Sequence, residues 1–201
     1  MNDSRVVIES FRLYSPHMGL AKQQIEVSVE DYLAGEPEAQ VRHEYVNGQV
    51  YAMAGATLRH NTISLNLALS LKSQLRGRPC TPYMSDVKVQ VRTLASESYY
   101  YPDVVVSCDP RDTNPQYLEY PSTVIEVLSE STERIDRHEK FLAYTSLDSV
   151  QEYLLVAQDR RFVTVCRRES GWQPEVFTEE EDTIVLSCGA TLTLAEIYEQ
   201  V

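Results

Sequence analysis

Two lone carboxylates in otherwise apolar stretches most limit how this chain can fold. The stretches are Tyr101–Cys108 and Thr123–Ser129, and both are rich in the β-branched residues typical of strands buried on both faces. Asp103 opens the first and Glu126 lies in the middle of the second. Burying a carboxylate is costly unless it is paired or bound to a cation. We therefore expect adjacent buried strands that hold a divalent metal between two hard oxygen ligands.

The length and composition predict a single domain. A chain of 201 residues with 43% hydrophobic and 24% charged residues can form one substantial core. Residues 1–25 show no sustained periodicity and are expected to form an irregular arm, which leaves 26–201 as the domain. No apolar stretch approaches the roughly 20 residues of a membrane span, and the first residues lack the apolar core of a signal peptide. We expect a cytoplasmic protein with no membrane partner.

The net charge limits the ways in which this chain could bind nucleic acid, and the cysteine spacing limits the kinds of metal site and disulfide it could contain. The formal net charge of -12 argues against broad electrostatic capture of nucleic acid, although a local basic track is compatible with it. The four cysteines lie far apart, without a C-x-x-C pair or a partnering histidine cluster. This spacing indicates neither a zinc site nor a disulfide framework, so we expect reduced, structural cysteines.

Local signals place the first elements. Ser28, with Asp31 three residues later, approximates the capping box of a short helix. The Asn47-Gly48 pair between two β-favouring runs predicts a hairpin, because both turn positions favour positive φ. Apolar residues at helical spacing predict the longest helix from Thr57 to about Leu75.

The later elements follow from alternation and capping patterns. Residues 85–91 alternate strictly, which predicts a half-exposed strand with Lys88 on the surface. Asp136 and Glu139 resemble a capping pattern, so the firm part of the helix after the second buried strand is expected to start near Asp136. Residues 151–156 and 162–167 predict a pair of strands, and shorter strands follow towards the C-terminus.

An ordered set of residues runs through this framework. Its members are Glu44, Asn47-Gly48, His60, Pro102-Asp103, Ile125–Ser129, Ser131-Thr132, Asp136, Lys140, Glu152-Tyr153 and Leu194–Tyr198. Together they resemble the Uma-two family of restriction endonucleases, within the PD-(D/E)XK nuclease superfamily, over nearly the whole chain after about residue 25. The resemblance implies an α/β (α+β) fold with a restriction-endonuclease-like core, in which helices flank a mixed central β-sheet. An N-terminal hairpin and extra C-terminal strands would be added to that core.

The resemblance also implies a metal site. Asp103 and Glu126 would bind Mg²⁺ or Mn²⁺, and the backbone carbonyl of Val127 could complete the inner shell. In this superfamily a lysine two positions after the glutamate normally orients or activates the attacking water. Leu128 occupies that position here. The family pattern suggests Lys140, on the following helix, as the substitute.

Two further residues have both a catalytic and an ordinary interpretation. Lys140 could return its ammonium to the acidic cluster, or it could be an exposed helix lysine paired with Asp136 four residues earlier. Glu44 could be a third carboxylate reaching the metal or its water, or an ordinary charge at the edge of a strand.

Three residues are candidates for contact with the substrate. His60 could contact a phosphate or assist proton transfer, although a histidine at a helix end more commonly only satisfies a hydrogen bond. Arg134 and Arg137 are expected to flank the metal and to guide a nucleic acid.

The leading hypothesis is a Mg²⁺-dependent endonuclease that hydrolyses phosphodiester bonds of DNA, with Asp103, Glu126, Lys140 and Glu44 as catalytic residues. A homodimer is compatible with cleavage of both strands. Leu128 and the acidic balance favour a rival hypothesis, a nuclease-like fold without activity that serves as a binding or assembly module. A second rival is a glycosidase using Asp103 and Glu126 as acid and base, and metal binding fits this pair better.

Overall fold

The computed structural model describes residues 26–94, 96–129 and 133–201, so the expected arm at 1–25 lies outside the described residues. The helices are α1 (Val29–Gly35), α2 (Leu58–Gln74), α3 (Glu133–Ile135), α4 (Phe141–Thr145) and α5 (Leu194–Ile197), with a 3₁₀ turn (Glu36–Glu38) and a π-helical turn (Asp136–Lys140). None of the helices in these ranges is long and apolar enough to cross a membrane.

Thirteen strands complete the described part of the chain. They are β1 (His43–Val46), β2 (Gln49–Ala52), β3 (Thr81–Met84), β4 (Lys88–Arg92), β5 (Glu97–Tyr100), β6 (Val104–Ser107), β7 (Tyr117–Leu118), β8 (Pro121–Leu128), β9 (Glu152–Ala157), β10 (Val163–Arg167), β11 (Pro174–Phe177), β12 (Thr183–Val185) and β13 (Thr191–Thr193).

A mixed six-stranded sheet forms the centre of the fold. Its order is β11-β10-β9-β8-β6-β3, with β8 and β9 parallel and the other neighbouring pairs antiparallel. Strands β6 and β8 are almost entirely buried, which confirms the prediction from their β-branched sequences. The mixed α+β class is likewise confirmed. Besides β8, the other neighbour of β6 is β3, a strand whose sequence showed no clear alternation.

A second sheet was not expected. It has five strands in the order β2-β1-β5-β4-β7 and begins with the predicted hairpin, whose turn residues Asn47 and Gly48 have φ values of 48° and 87°. Positive φ at both positions is what a two-residue hairpin turn requires, so this prediction is confirmed. Strand β4 therefore belongs to a different sheet from β6.

The prediction that β4 is half exposed, with Lys88 on the surface, is wrong. Lys88 is only 6% exposed, and its Nζ lies 3.4 Å from the hydroxyl oxygen of Tyr101. Both faces of the strand are covered, because Val89 and Val91 enter one apolar core while the other face lies towards a cluster of tyrosines, with Gln90 donating to the Tyr99 hydroxyl. The alternation thus separates an apolar from a hydrogen-bonded environment, and exposure plays no part.

Helix α2 covers one face of the six-stranded sheet. Thr57 is its N-cap and accepts a hydrogen bond from the His60 amide, and Ile63, Leu67 and Leu71 are fully buried. The predicted helix is confirmed in both its start and its apolar spacing. We name residues 133–145 the site helix. A second apolar core lies on the opposite face of the six-stranded sheet, where that face meets the five-stranded sheet and the site helix.

The cysteine prediction is wrong for one pair. Cys80 and Cys108 form a disulfide, whereas Cys166 and Cys188 are free. Cys80 directly precedes β3 and Cys108 directly follows β6, and these strands pair antiparallel with Thr81 opposite Ser107. The pairing of two strands that are distant in sequence brings the two sulfur atoms together, and the spacing of the cysteines in the sequence does not reveal that pairing.

Candidate active site

Asp103 and Glu126 lie side by side, as predicted for residues of adjacent strands. Val104 of β6 pairs with Ile125 of β8, so the residue before β6 lies opposite Glu126. The Asp103 amide donates to Glu126 Oε2 at 3.3 Å, and the Val127 amide donates to Asp103 Oδ2 at 2.7 Å. The backbone of each strand therefore holds the carboxylate of the other.

The Glu126 carboxyl is in a strongly perturbed environment. Its residue is 2% exposed, and burial raises its pKa well above the ordinary value. The Lys140 ammonium opposes this shift, while the charges of Asp136, Asp103 and Glu44 add to it. Such a group either takes up a proton or requires a cation beside it.

The site helix delivers two polar side chains to this carboxyl and a third to its lysine. It runs without a break from α3 through the π-helical turn into α4. Lys140 Nζ and the Tyr144 hydroxyl both reach Glu126 Oε1, at 3.3 and 3.5 Å, and Asp136 Oδ1 lies 3.4 Å from Lys140 Nζ. The prediction that Asp136 caps the helix is wrong, because α3 begins three residues earlier and Asp136 is buried within the π-helical turn.

Lys140 is at the centre of the cluster. It is 5% exposed, so the alternative of a solvated helix lysine is wrong, although its pairing with Asp136 is present. Its Nζ is 2.9 Å from Glu44 Oε1 and 3.3 Å from Glu126 Oε1. Burial lowers the pKa of Lys140, but the charges of Glu126, Glu44 and Asp136 outweigh burial and leave it well above the ordinary value. The side chain is therefore a fixed cation at neutral pH.

Glu44 reaches the cluster from the other sheet. It lies on β1, and its carboxylate accepts a hydrogen bond of 3.3 Å from the Tyr101 amide besides pairing with Lys140. The structure therefore places Glu44 with Asp103 and Glu126, and its role as a simple strand-edge charge is excluded.

His60 lies beside Asp103, the carboxylate that Lys140 does not contact. Its Nε2 lies 3.2 Å from Asp103 Oδ2. Burial lowers the pKa of His60, but the hydrogen bond and charge of Asp103 and the Val127 contact raise it above the ordinary value. His60 thus faces Asp103, one of the predicted metal ligands.

The remaining predicted residues do not join the cluster or cannot be placed. Arg137 is paired with Glu133 on the outer side of the site helix at 2.8 Å. The side chain of Arg134, together with Ser131 and Thr132, lies outside the described residues. Leu128, at the position of the usual lysine, is buried in the second apolar core.

Tyr144 and Tyr153 were missed as site residues. The Tyr144 hydroxyl contacts Glu126, and the Tyr153 hydroxyl donates to the Asp136 carbonyl oxygen at 2.9 Å. The spacing of four residues from Asp136 to Lys140 and from Lys140 to Tyr144 was a usable signal, because such residues share a helix face. The excess of tyrosine, 13 residues, was a weaker one.

The charges of the cluster do not balance. Asp103, Glu126, Glu44 and Asp136 supply four carboxylates against one lysine and one histidine, so full ionisation leaves a net charge of at least -2. Within 26–94, 96–129 and 133–201, no three or more His, Cys, Asp or Glu side chains are arranged as a metal site.

Comparisons with known proteins add the family and the fold. The model of the Uma2 family, described as "Putative restriction endonuclease", matches residues 29–195. Two similar proteins come from Synechocystis sp. (strain ATCC 27184 / PCC 6803 / Kazusa). "Uncharacterized protein slr1290" is 42% identical over 132 residues, covering 65% of this chain and 68% of its own. "Uncharacterized protein sll1609" is 34% identical over 131 residues, covering 64% and 73%.

A solved structure shares the fold. It is described as "a putative nuclease belonging to DUF820 from Anabaena variabilis ATCC 29413" and superposes with a TM-score of 0.70 over 86% of this chain and 97% of that one. The sequence identity is 18%, so the likeness concerns the fold.

Proposed function

Because this chain belongs to the Uma2 family, described as "Putative restriction endonuclease", we propose that it is a metal-dependent endonuclease acting on phosphodiester bonds of DNA. One observation carries the proposal. Two carboxylates on neighbouring strands, Asp103 and Glu126, lie together at a cluster whose lysine ammonium is 3.3 Å from Glu126 Oε1. Burying charged groups in this way lowers the stability of the fold. Such clusters are common at active sites, so a catalytic function would explain why the protein keeps this one.

The donor set fits a divalent ion such as Mg²⁺ or Mn²⁺. Asp103, Glu126 and the Val127 carbonyl would hold it, and hard oxygen donors with few protein ligands suit Mg²⁺, which keeps several of its waters. The excess negative charge of the cluster favours uptake of a cation. When bound, such an ion supplies a water of lowered pKa and neutralises charge on the phosphate.

The chain's own residues would bind and orient the reacting groups. Lys140 holds a positive charge beside Glu126, where it can orient the attacking water or stabilise the charge that develops on the phosphate. Glu44 fixes the Lys140 ammonium from the opposite side. His60 holds the Asp103 carboxylate through its Nε2, which lies 3.2 Å from Asp103 Oδ2.

The experiment is cleavage of supercoiled plasmid DNA with Mg²⁺ or Mn²⁺, together with calorimetric titration of Mn²⁺. We expect cleavage by the natural protein and loss of both cleavage and Mn²⁺ binding in Asp103→Ala. The matched control is Glu175→Gln, an exposed carboxylate on β11, which should retain both. A folded natural protein that binds no divalent ion would refute the proposal. Light scattering of the same samples tests the proposed homodimer.

A second candidate function is a binding or assembly module without catalytic activity. It is favoured by the internal pairing of the cluster, in which Lys140 already contacts Glu44, Glu126 and Asp136 and His60 contacts Asp103. A protein that binds DNA without cutting it in Mg²⁺ or Mn²⁺ would support this function and exclude the first.

A further inference from the structure

Tyr153 on β9 packs directly against the site helix. Its side chain is fully buried, and its ring lies 5.9 Å from the Phe141 ring and 5.7 Å from the Tyr144 ring, measured between centroids. Phe141 follows Lys140 in sequence, and Tyr144 is one turn further on. Tyr153 therefore contacts the helix immediately beyond the residue that carries the ammonium.

The hydroxyl of Tyr153 makes a separate contact before Lys140. It donates a buried hydrogen bond of 2.9 Å to the main-chain carbonyl of Asp136, the first residue of the π-helical turn. A phenylalanine would fill the same space, so packing alone does not account for the oxygen. Tyr153 therefore contacts the site helix both before Lys140, at Asp136, and after it, at Phe141 and Tyr144.

The π-helical turn decides which way Lys140 points. In an α-helix, residues four apart are displaced by about 40° around the axis, so Asp136, Lys140 and Tyr144 would spread over about 80°. A π turn has the same right-handed sense but more residues per turn, so residues four apart fall short of a full turn. This offsets the displacement of the α-helical part and brings these three side chains towards one face. Lys140 and Tyr144 then reach Glu126, and Asp136 reaches Lys140.

We propose that Tyr153 is a positioning residue for Lys140, whose hydroxyl holds the Asp136 carbonyl and thereby keeps the π-helical turn that aims the ammonium at Glu126 and Glu44. The inference deepens the proposed nuclease function and rests on it for its kinetic effect. Relaxation of the turn into regular α-helix would place Lys140 about 40° around the axis from Asp136, and its ammonium would then no longer point at Glu126 and Glu44.

The test is Tyr153→Phe in the full chain, with DNA cleavage measured over a range of substrate concentrations. We expect kcat to fall about 10- to 100-fold, the range typical of a misplacement of about 1 Å in a catalytic group, while KM changes less than about threefold. Incorporation of 4-aminophenylalanine at position 153, which restores an N–H donor, should recover most of kcat. Unchanged kcat in Tyr153→Phe would overturn the inference.

Tyr198→Phe is the matched control. Tyr198 is also buried, and its hydroxyl donates to the main-chain carbonyl of Ala157 at 2.8 Å, in the apolar core on the other face of the sheet. Tyr153→Phe loses one buried hydrogen bond, whereas Tyr198→Phe also loses the one that its hydroxyl accepts from the Phe162 amide at 3.2 Å. The control should therefore lose at least as much thermal stability as Tyr153→Phe. Only Tyr153→Phe should lose kcat, and an equal loss in both variants would assign Tyr153 a purely structural role.

Crystal structures of the two variants separate this inference from the proposed function. In Tyr153→Phe we expect the distance from Lys140 Nζ to Glu126 Oε1 to lengthen by more than about 1 Å with loss of the π-helical turn, and in Tyr198→Phe we expect no change. Absence of cleavage by the natural protein refutes the nuclease proposal, whereas an unmoved Lys140 in Tyr153→Phe refutes the positioning role, whatever the activity.

Discussion

Replacing Lys140 with methionine tests the electrostatics of the cluster most directly. Methionine keeps most of the side-chain volume but removes the ammonium that lies 2.9, 3.3 and 3.4 Å from carboxylate oxygens of Glu44, Glu126 and Asp136. Removing one partner of a buried ion pair leaves uncompensated charge and typically costs about 3 to 5 kcal/mol. We expect Lys140→Met to lower the free energy of unfolding by that amount near neutral pH without divalent ions.

The matched control is Arg137→Met, three residues earlier on the same helix. Arg137 is paired with Glu133 at 2.8 Å, a contact even shorter than those of Lys140, but on the partly exposed outer side. Exposed pairs at this spacing contribute only about 0.3 to 0.5 kcal/mol. Distance alone would predict similar losses in the two variants, whereas burial predicts a difference of about tenfold.

The assay is urea unfolding of both variants and the natural protein at several pH values with a chelator present. The loss in Lys140→Met should shrink as pH falls, because the stranded carboxyls can then take up protons. Adding Glu126→Gln to Lys140→Met should recover part of the loss. A cost below about 1 kcal/mol, or a cost independent of pH, would refute the view that Lys140 neutralises a buried acidic cluster.

Three further predictions concern other parts of the molecule. Cys108→Ser should lower the free energy of unfolding in urea by about 3 to 4 kcal/mol under oxidising conditions, because the Cys80–Cys108 disulfide closes a loop with a sequence separation of 28. Cys166→Ser should change this free energy little, because Cys166 is free. Equal effects of the two substitutions would contradict the disulfide. Burial raises the pKa of Glu126, so the stability gained from its protonation is present at acidic pH and is lost as pH rises through the raised pKa. Mn²⁺ competes with that proton and should raise the thermal midpoint more at about pH 8 than at about pH 6, with an equal gain at both counting against Glu126 as a ligand. Gly48→Ala should cost about 1 to 2 kcal/mol in urea unfolding because φ at this turn position is +87°, and a neutral substitution would show that the hairpin turn tolerates a side chain there.

Much of the framework around the site follows from local sequence. The Asn47-Gly48 turn, the Thr57 cap and the buried spacing of Ile63, Leu67 and Leu71 depend on interactions between residues close in the chain, so their patterns are legible in the sequence. The two carboxylates in β-branched runs were recognisable for a similar reason, since a charge among apolar residues is costly wherever the strand packs.

Residues that depend on distant partners could not be assigned in the same way. Lys88 alternates like a surface residue, but a layer of tyrosines covers its face of β4. Asp136 has the sequence context of a cap, yet the helix starts before it. In both cases the pattern records polarity correctly, and only the packing of a second element converts a polar position into a buried one.

The sequence by itself determined that Glu126 would be buried on a strand and that Asp103 would stand at the start of a buried strand, because apolar β-branched runs leave few other conformations. Only the tertiary structure decided that Lys140, Glu44 and His60 converge on them, since these residues come from a helix, a second sheet and another helix. It also decided that the Tyr153 hydroxyl donates to the Asp136 carbonyl, and that Cys80 meets Cys108. The physical reason is range: propensity acts over a few residues, whereas ion pairs, buried hydrogen bonds and disulfides form between segments that only the completed fold brings together.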